Sequence, residues 1–359
     1  MRGGFPRLEP AGPDFQYDIP NTGFRPLHEV VPAWSAWVQS HRVAYGSQGG
    51  VCGSMERLDL PIKGVETPYD LISWRDPADG DVMQGRKFAW RADLVYRDGW
   101  HDRNLVALSL DSPSRLPPGK VVSDGSRVLF WDGRDTVMVK LIPIDVKRLQ
   151  QRTGDSLVYL HDRLVDPLQG GKDVGGFLLY NGAKLARPLT IASNARVYGW
   201  GDFNTDSAYL SPEGTRSAYP AAIVCDAYTQ LSNEWNGIEY PKGAKYVSVK
   251  GNNAEARTVL NACVMTGMPE RNRSWSGQGG YHNLVHFIED WTGTTFEFSG
   301  SAVAMWSSRV STGMTNTEFY QPPVRKWAFD PLYRHLENMP PGTPRLVGPK
   351  LNTWEMARL

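Results

Sequence analysis

From about residue 144 onward the chain repeats one unit: a short apolar strand, a small or polar bend, and a second short strand. The copies are Leu157-Val158-Tyr159-Leu160, Leu189-Thr190-Ile191-Ala192 with Val197-Tyr198, Ile223-Val224-Cys225 with Tyr228 and Leu231, Val259-Leu260 with Val264, and Phe296-Glu297-Phe298 with Val303 and Met305. Their first apolar residues stand at 157, 189, 223, 259 and 296, which leaves gaps of 32, 34, 36 and 37 residues. Near-regular spacing of one supersecondary unit predicts a β-solenoid, in which each turn stacks on its neighbours because it cannot bury its apolar face alone. In that arrangement Leu189, Ile223, Val259 and Phe296 should lie in adjacent layers. Ser193-Asn194-Ala195 and Ser299-Gly300-Ser301 are read as equivalent bends. A β-sandwich with evenly spaced strands is the other architecture this pattern fits.

Composition agrees with a mainly β, core-forming chain. Of 359 residues 41% are apolar, and 36 Gly with 26 Pro punctuate short apolar runs. The formal net charge of +1 provides no general attraction for phosphate backbones or anionic membranes, so nucleic-acid binding would need a local patch. Cys52, Cys225 and Cys263 allow at most one bridge and lack zinc-site spacing; Cys225 and Cys263 fall in successive predicted turns, where they stack, bridge or stay as buried thiols. Met1 to Pro20 has no apolar run long enough for a signal peptide or membrane span, so either the protein stays in the cytosol or its exporting segment is not in this sequence.

The first half divides differently. Residues 1–26 read as an irregular arm, and residues 27–143 as a small α+β region. Trp34, Trp37, Val38 and His41 follow the helical spacing i, i+3, i+4, i+7. Phe88, Trp90, Ala92 and Leu94 alternate like a strand, with Val106, Leu108 and Leu110 as the returning strand. A second hairpin is expected for Val128–Trp131 and Thr136–Val139 across Asp132-Gly133. Residues 144–345 form the β-solenoid-like domain, and 346–359 a tail. One helix is expected within the solenoid, since Leu284, Phe287, Ile288 and Trp291 recur at helical spacing; it would cover the stacked turns. Gln321-Pro322-Pro323 and Met339–Pro344 suggest extended wrapping rather than further turns.

Chemistry-bearing residues are sparse. His282 and His286 stand four apart without the glutamate of a zinc peptidase, so capping and surface hydrogen bonding are expected, and no metal or cofactor. Asp202, Asp206, Asp226, Glu289 and Asp290 are the acids a carbohydrate-cutting solenoid could use, yet none forms an i, i+2 pair on a strand. The seven residues Arg271, Arg273, Trp275, Trp306, Arg309, Arg325 and Trp327, with Lys326 beside them, make the candidate glycan or nucleic-acid face, because aromatic rings stack bases or sugars while arginines hold phosphate. The alternative is a solvated edge with tryptophans packed inward.

An ordered set of segments carries a resemblance. Tyr180-Asn181-Gly182-Ala183, Leu189–Asn194, Val197–Asn204, Leu231–Trp235, Leu284–Gly293 with Phe287-Ile288-Glu289-Asp290-Trp291, Pro322–Asp330 and Pro340–Pro344 resemble the soluble part of large pilin-like and minor-pilin-like bacterial proteins of pilus assembly that carry a β-solenoid domain; the competence-associated large pilin of Thermus is one. The resemblance spans roughly residues 145–345. It implies a non-enzymatic, extracytoplasmic protein of a type IV pilus or the cell surface, acting in adhesion or in contact with DNA or another surface. Its partners would be other pilus or cell-surface subunits, with DNA or a glycan as further ligands. A polysaccharide-processing β-helix enzyme is the alternative from another class. Gly4-Phe5 with Glu9 imitates a prepilin cleavage site, but Pro10, Gly12, Pro13 and Asp14 stand where an apolar helix should follow. Asn283-Leu284-Val285-His286 stands where the family more usually has Asn-Phe-Pro-Arg.

Overall fold

The computed structural model describes residues 16–19, 23–26, 67–97, 127–135, 137–152, 156–165, 175–205, 218–235, 256–268, 284–311 and 321–344. The chain divides into two compact units, Met1–Leu58 and Asp59–Leu359. In the first, β1 (Gln16–Ile19) and β2 (Gly23–Pro26) pair as an antiparallel hairpin. The expected helix at Trp34, Trp37, Val38 and His41 lies outside the described residues, as do Val106, Leu108 and Leu110.

The second unit begins with a 3-10 turn at Pro68–Ile72 and two single helical turns, α1 (Asp81–Gln84) and α2 (Phe88–Arg91). Then come β3 (Leu94–Arg97), β4 (Val128–Asp132), β5 (Val137–Asp145), α3 (Val146–Arg152), β6 (Leu157–His161), β7 (Gly175–Tyr180), β8 (Leu189–Ser193) and β9 (Arg196–Trp200). After these follow β10 (Ala221–Cys225), β11 (Ala227–Leu231), β12 (Arg257–Asn261), β13 (Cys263–Met268), β14 (Val285–His286), β15 (Thr295–Gly300), β16 (Ala302–Ser307) and β17 (Val324–Phe329). The described part ends in 3-10 turns at Pro331–Arg334 and Leu336–Asn338 and an irregular stretch to Pro344.

Among the described residues of this unit the strands form three sheets. The first has the order β16-β13-β10-β8-β6-β3, the second β14-β11-β9-β7-β5-β4, and the third β12-β15-β17. Every pairing is parallel except the β4–β5 hairpin, which forms across Asp132-Gly133 as expected, with Phe130 opposite Val139. The fold is mainly β. Parallel strands covered on both faces read as continuous apolar runs, and Leu157–His161, Leu189–Ser193 and Ala221–Cys225 are buried at every residue. Ile191, Ile223 and Val264 from the first sheet, Phe177, Val197 and Tyr228 from the second, and Phe296 and Phe298 from the third share one core. The opposite face of the first sheet packs on Tyr69, Leu71, Ile72 and Phe88 in a second core. The β4–β5 hairpin brings Phe130 against Tyr198 and Trp235 on the other side of the second sheet, at ring distances of 5.1 and 5.3 Å.

The layers differ from the predicted phase. Ile191, Ile223 and Val264 are register partners, so Leu189 and Ile223 do lie in adjacent layers of the first sheet. Val259 and Phe296 belong instead to the third sheet, where Val259 pairs with Glu297 and Thr258 with Phe296. The cause is local. Asn194-Ala195 turns the chain from the first sheet into the second, whereas Ser301 turns it from the third into the first; two different corners carry the same small, polar sequence.

Three further expectations are corrected. Leu284–Trp291 is no covering helix: it runs extended through β14 and the bridge of Asp290 to Gln321. Helical spacing at four positions is not sufficient evidence when Val285, His286 and Glu289 between them are buried too, since a covering helix needs a wet face. Phe88–Arg91 forms a helical turn rather than a strand, and β3, which follows it, pairs in parallel with β6. The segment between the two Pro-rich stretches adds β17 to the third sheet alongside β15, and Met339–Pro344 then lies across the first.

Asparagines close the corners between sheets. Asn204, buried with φ of 58°, donates to the carbonyls of Tyr219 (2.7 Å) and Asn261 (2.9 Å), while Asn261 donates back to the Asn204 carbonyl (3.0 Å). Stacked asparagines satisfy backbone groups that a tight bend leaves unpaired.

Candidate functional site

Among the described residues, a collection of buried charge lies where the β4–β5 hairpin covers the second sheet. Turn residues Asp132, Arg134 and Asp135 meet Arg196 and Tyr198 of β9, Asp226 at the corner before β11, and the segment Ser308–Ser311 after β16. Tyr198 donates its hydroxyl to Asp132 (2.5 Å), Arg196 reaches Asp135 (3.3 Å), and Ser311 donates to Asp135 (3.1 Å). Arg196 also donates to the carbonyl of Val310. The Asp226 carboxylate accepts the Ser308 hydroxyl (2.6 Å) and the backbone N–H groups of Arg309 (3.0 Å) and Val310 (2.9 Å).

This network ties the hairpin, one corner and the post-β16 segment together. Burial raises the Asp226 carboxyl above the ordinary carboxylate range, against the pull of those three donors. Burial and the neighbouring Asp132 raise the Tyr198 phenol likewise. His286 of β14 sits close by and stays neutral, because burial and the cations Arg134 and Arg196 all lower its pKa. Its Nε2 has no hydrogen-bond partner among the described residues. His282 lies outside them, and no cluster of metal-ligating residues occurs among those described.

Glu289 is the other buried acid. It lies in the extended run after β14, fully enclosed, and accepts the backbone N–H (2.7 Å) and hydroxyl (3.0 Å) of Ser232. Burial, only partly offset by the two Ser232 hydrogen bonds, pushes its carboxyl up to about 8. By sequence Glu289 is one of the candidate acids of a carbohydrate-cutting solenoid; the structure encloses it, and with Asp290 beside it no local pattern announces that burial. Asp202 and Asp290 hold turns instead. Asp202 accepts from Asn233 (2.9 Å) and the Val259 N–H (2.8 Å), and Asp290 from Thr292 (2.6 Å). Asp206 lies outside the described residues.

A pH dependence follows. The unfolded chain carries Glu289 at its ordinary 4.5, while the folded chain keeps it protonated to about 8. Stability contributed by the neutral carboxyl is complete below pH 4.5 and is lost as pH rises toward and through 8. Glu289→Gln retains an acceptor for the Ser232 N–H without titrating. It is expected to flatten the decline of the urea midpoint between pH 5 and 8.5 and to raise Tm at pH 8.5 by several degrees. An unchanged slope in the variant would refute the assignment.

The basic and aromatic residues separate into two groups. Trp306 of β16 is buried against Tyr69 at 6.2 Å, and the Arg309 guanidinium lies 3.6 Å from the same ring, a packed cation–π contact. Arg325 and Trp327 lie on β17, in register with Phe296 and Phe298. Trp327 is half-buried, 5.8 Å from the Phe298 ring, and Arg325 sits exposed between Trp327 (5.5 Å) and Phe287 (5.7 Å). Lys326 points with Glu297 on the other face and pairs with it at 3.3 Å. Arg271, Arg273 and Trp275 lie outside the described residues. Cys225 and Cys263 are not bridged to each other: their register partners are Thr266 and Ala222, three positions apart along the strands. No helix among the described residues is long and apolar enough to cross a membrane.

No protein-family model matches the chain, and comparison with curated proteins and with solved structures returned no match.

Proposed function

We propose that the protein is a non-enzymatic structural and binding module whose residues 144–345 wind as a β-solenoid. In this reading it is extracytoplasmic, associated with a pilus or the cell surface, and touches a partner subunit, a glycan or DNA. The winding is supported by parallel register between successive passes in all three sheets, as in β8, β10 and β13. The location rests on the resemblance of the sequence to minor-pilin-like proteins.

The observation that carries the binding reading is β17. This strand ends the third sheet and shows Val324, Arg325, Lys326, Ala328 and Phe329 to solvent. Carbohydrate hydrolysis has less support: it needs a pair of carboxyls that reach the substrate. Asp132, Asp135 and Asp226, which gather around Arg196, are instead enclosed and already bonded to Tyr198, Arg196, Ser311 and the Ser308–Val310 segment, and Glu289 is enclosed against Ser232.

Titrating a fluorescent DNA duplex at several salt concentrations tests the nucleic-acid branch. Affinity is expected to fall as salt rises, with Arg325→Ala and Lys326→Ala each reducing the log–log slope by about 1. A flat dependence would eliminate DNA and leave a glycan or protein surface as the partner.

A further inference from the structure

The outer face of the first sheet contains a hollow that the packing around it explains. Register places Leu157, Thr190, Ala222 and Cys263 in one row across β6, β8, β10 and β13, so three short side chains follow one long one. The chain spans the gap from above with Tyr333 and the Met339–Pro344 stretch, anchored where Arg91 donates to the Gly342 carbonyl (3.0 Å). A cavity of about 160 Å³ remains between them, with Phe88 at one wall and the half-exposed Phe329 at another.

One polar group in this apolar space is unexplained. Thr190 is 1% exposed, lines the cavity, and its hydroxyl has no hydrogen-bond partner among the described residues. The other hydroxyls of the wall differ: Thr343 donates to the Pro340 carbonyl (2.6 Å), the Tyr333 hydroxyl bonds the backbone of Ala221 (3.3 Å), and Ser301 is only partly buried. A buried hydroxyl left unpaired is costly, and an ordered water needs two to four polar partners, more than Thr190 alone provides.

We infer that this cavity is a binding site for a small aryl compound with one hydroxyl, the size of a phenol. A void of about 150 Å³ lined by apolar side chains accepts a benzene ring. The ring fills the space above Ala222 and Cys263, while its hydroxyl supplies the partner that Thr190 lacks. Phe329, the last residue of β17, is part of the wall, but the inference does not require any particular partner for the rest of that strand.

Calorimetry and saturation-transfer NMR on the full chain, with phenol and toluene as probes, test it. The two have the same shape, and only phenol can bond Thr190. Phenol is expected to bind saturably with Kd on the order of 1 mM or tighter, and toluene about fivefold to tenfold more weakly. Thr190→Val should abolish that preference, and Ala222→Phe should abolish both binding events by filling the hollow. Should Ala222→Phe fail to fold, Thr190→Val decides alone. Absence of saturable phenol binding, equal binding of the two probes, or a phenol preference that survives Thr190→Val would each overturn the inference.

Discussion

Asp226→Ala is expected to lower the unfolding free energy by about 3–5 kcal/mol, the range for breaking a buried, hydrogen-bonded charge. The carboxylate has no exposed surface and collects three donors from one short segment: the Ser308 hydroxyl and the N–H groups of Arg309 and Val310. Alanine leaves all three in a space water does not reach, each costing about 1–3 kcal/mol if unrelieved. It also withdraws one of the negative charges that keep the 2%-exposed Arg196 ionised. Burial already raises the Asp226 pKa, so its charge is held at some cost. Asp226→Asn, which retains an acceptor oxygen, should therefore lose less than alanine does. Urea unfolding at pH 7 separates the cases. Equal losses for asparagine and alanine would show that the charge, rather than the acceptor geometry, carries the effect.

Phe296→Ala should cost about as much, 3–5 kcal/mol, by leaving a cavity where three other aromatic rings converge. Phe296 is fully buried, 5.2 Å from Phe287, 6.1 Å from Trp291 and 6.4 Å from Phe298. Phe287 and Trp291 come from the extended run after β14, and Phe298 from β15 itself. The void is lined by two consecutive passes of the chain, so neither can collapse into it without moving a strand. Phe296→Leu preserves most of the volume and should lose less than about 1.5 kcal/mol. Thermal and urea midpoints of both variants check this. A cost below about 1.5 kcal/mol for alanine would mean that the ring cluster is loosely packed.

How far the sequence foretold this molecule depends on which residues are asked. The strands themselves were legible: parallel strands covered on both sides are mostly apolar, as Leu189–Ala192 and Ile223–Cys225 are, while Phe296–Phe298 alternates about Glu297 as a strand with one buried face does. Which sheet each would join was not. Asn194-Ala195 and Ser301 are small and polar for the same reason, tolerance of a bend, yet they turn different corners, so the spacing slipped by one strand from Val259 onward.

Leu284–Trp291 misled because apolar residues at helical intervals fit a helix and an all-buried extended run alike, and only the polar positions between them distinguish the two. His286 and Glu289 looked like a wet face; the fold buries both. Of the candidate contact face, Trp306 and Arg309 lock onto Tyr69, some 240 residues earlier, a contact that no local pattern could announce. The unpaired Thr190 hydroxyl was equally invisible, since it depends on a segment near residue 340 crossing β8.

The strands of the first sheet are unevenly spaced along the chain. β8, β10, β13 and β16 begin at residues 189, 221, 263 and 302, intervals of 32, 42 and 39, yet their pairing continues from strand to strand with a single bulge. Length is absorbed outside the ladder, and hydrogen bonds within it do not register how long the excursion was. A frame of this kind dictates which residues pair and leaves the number of residues between two pairing strands free to vary.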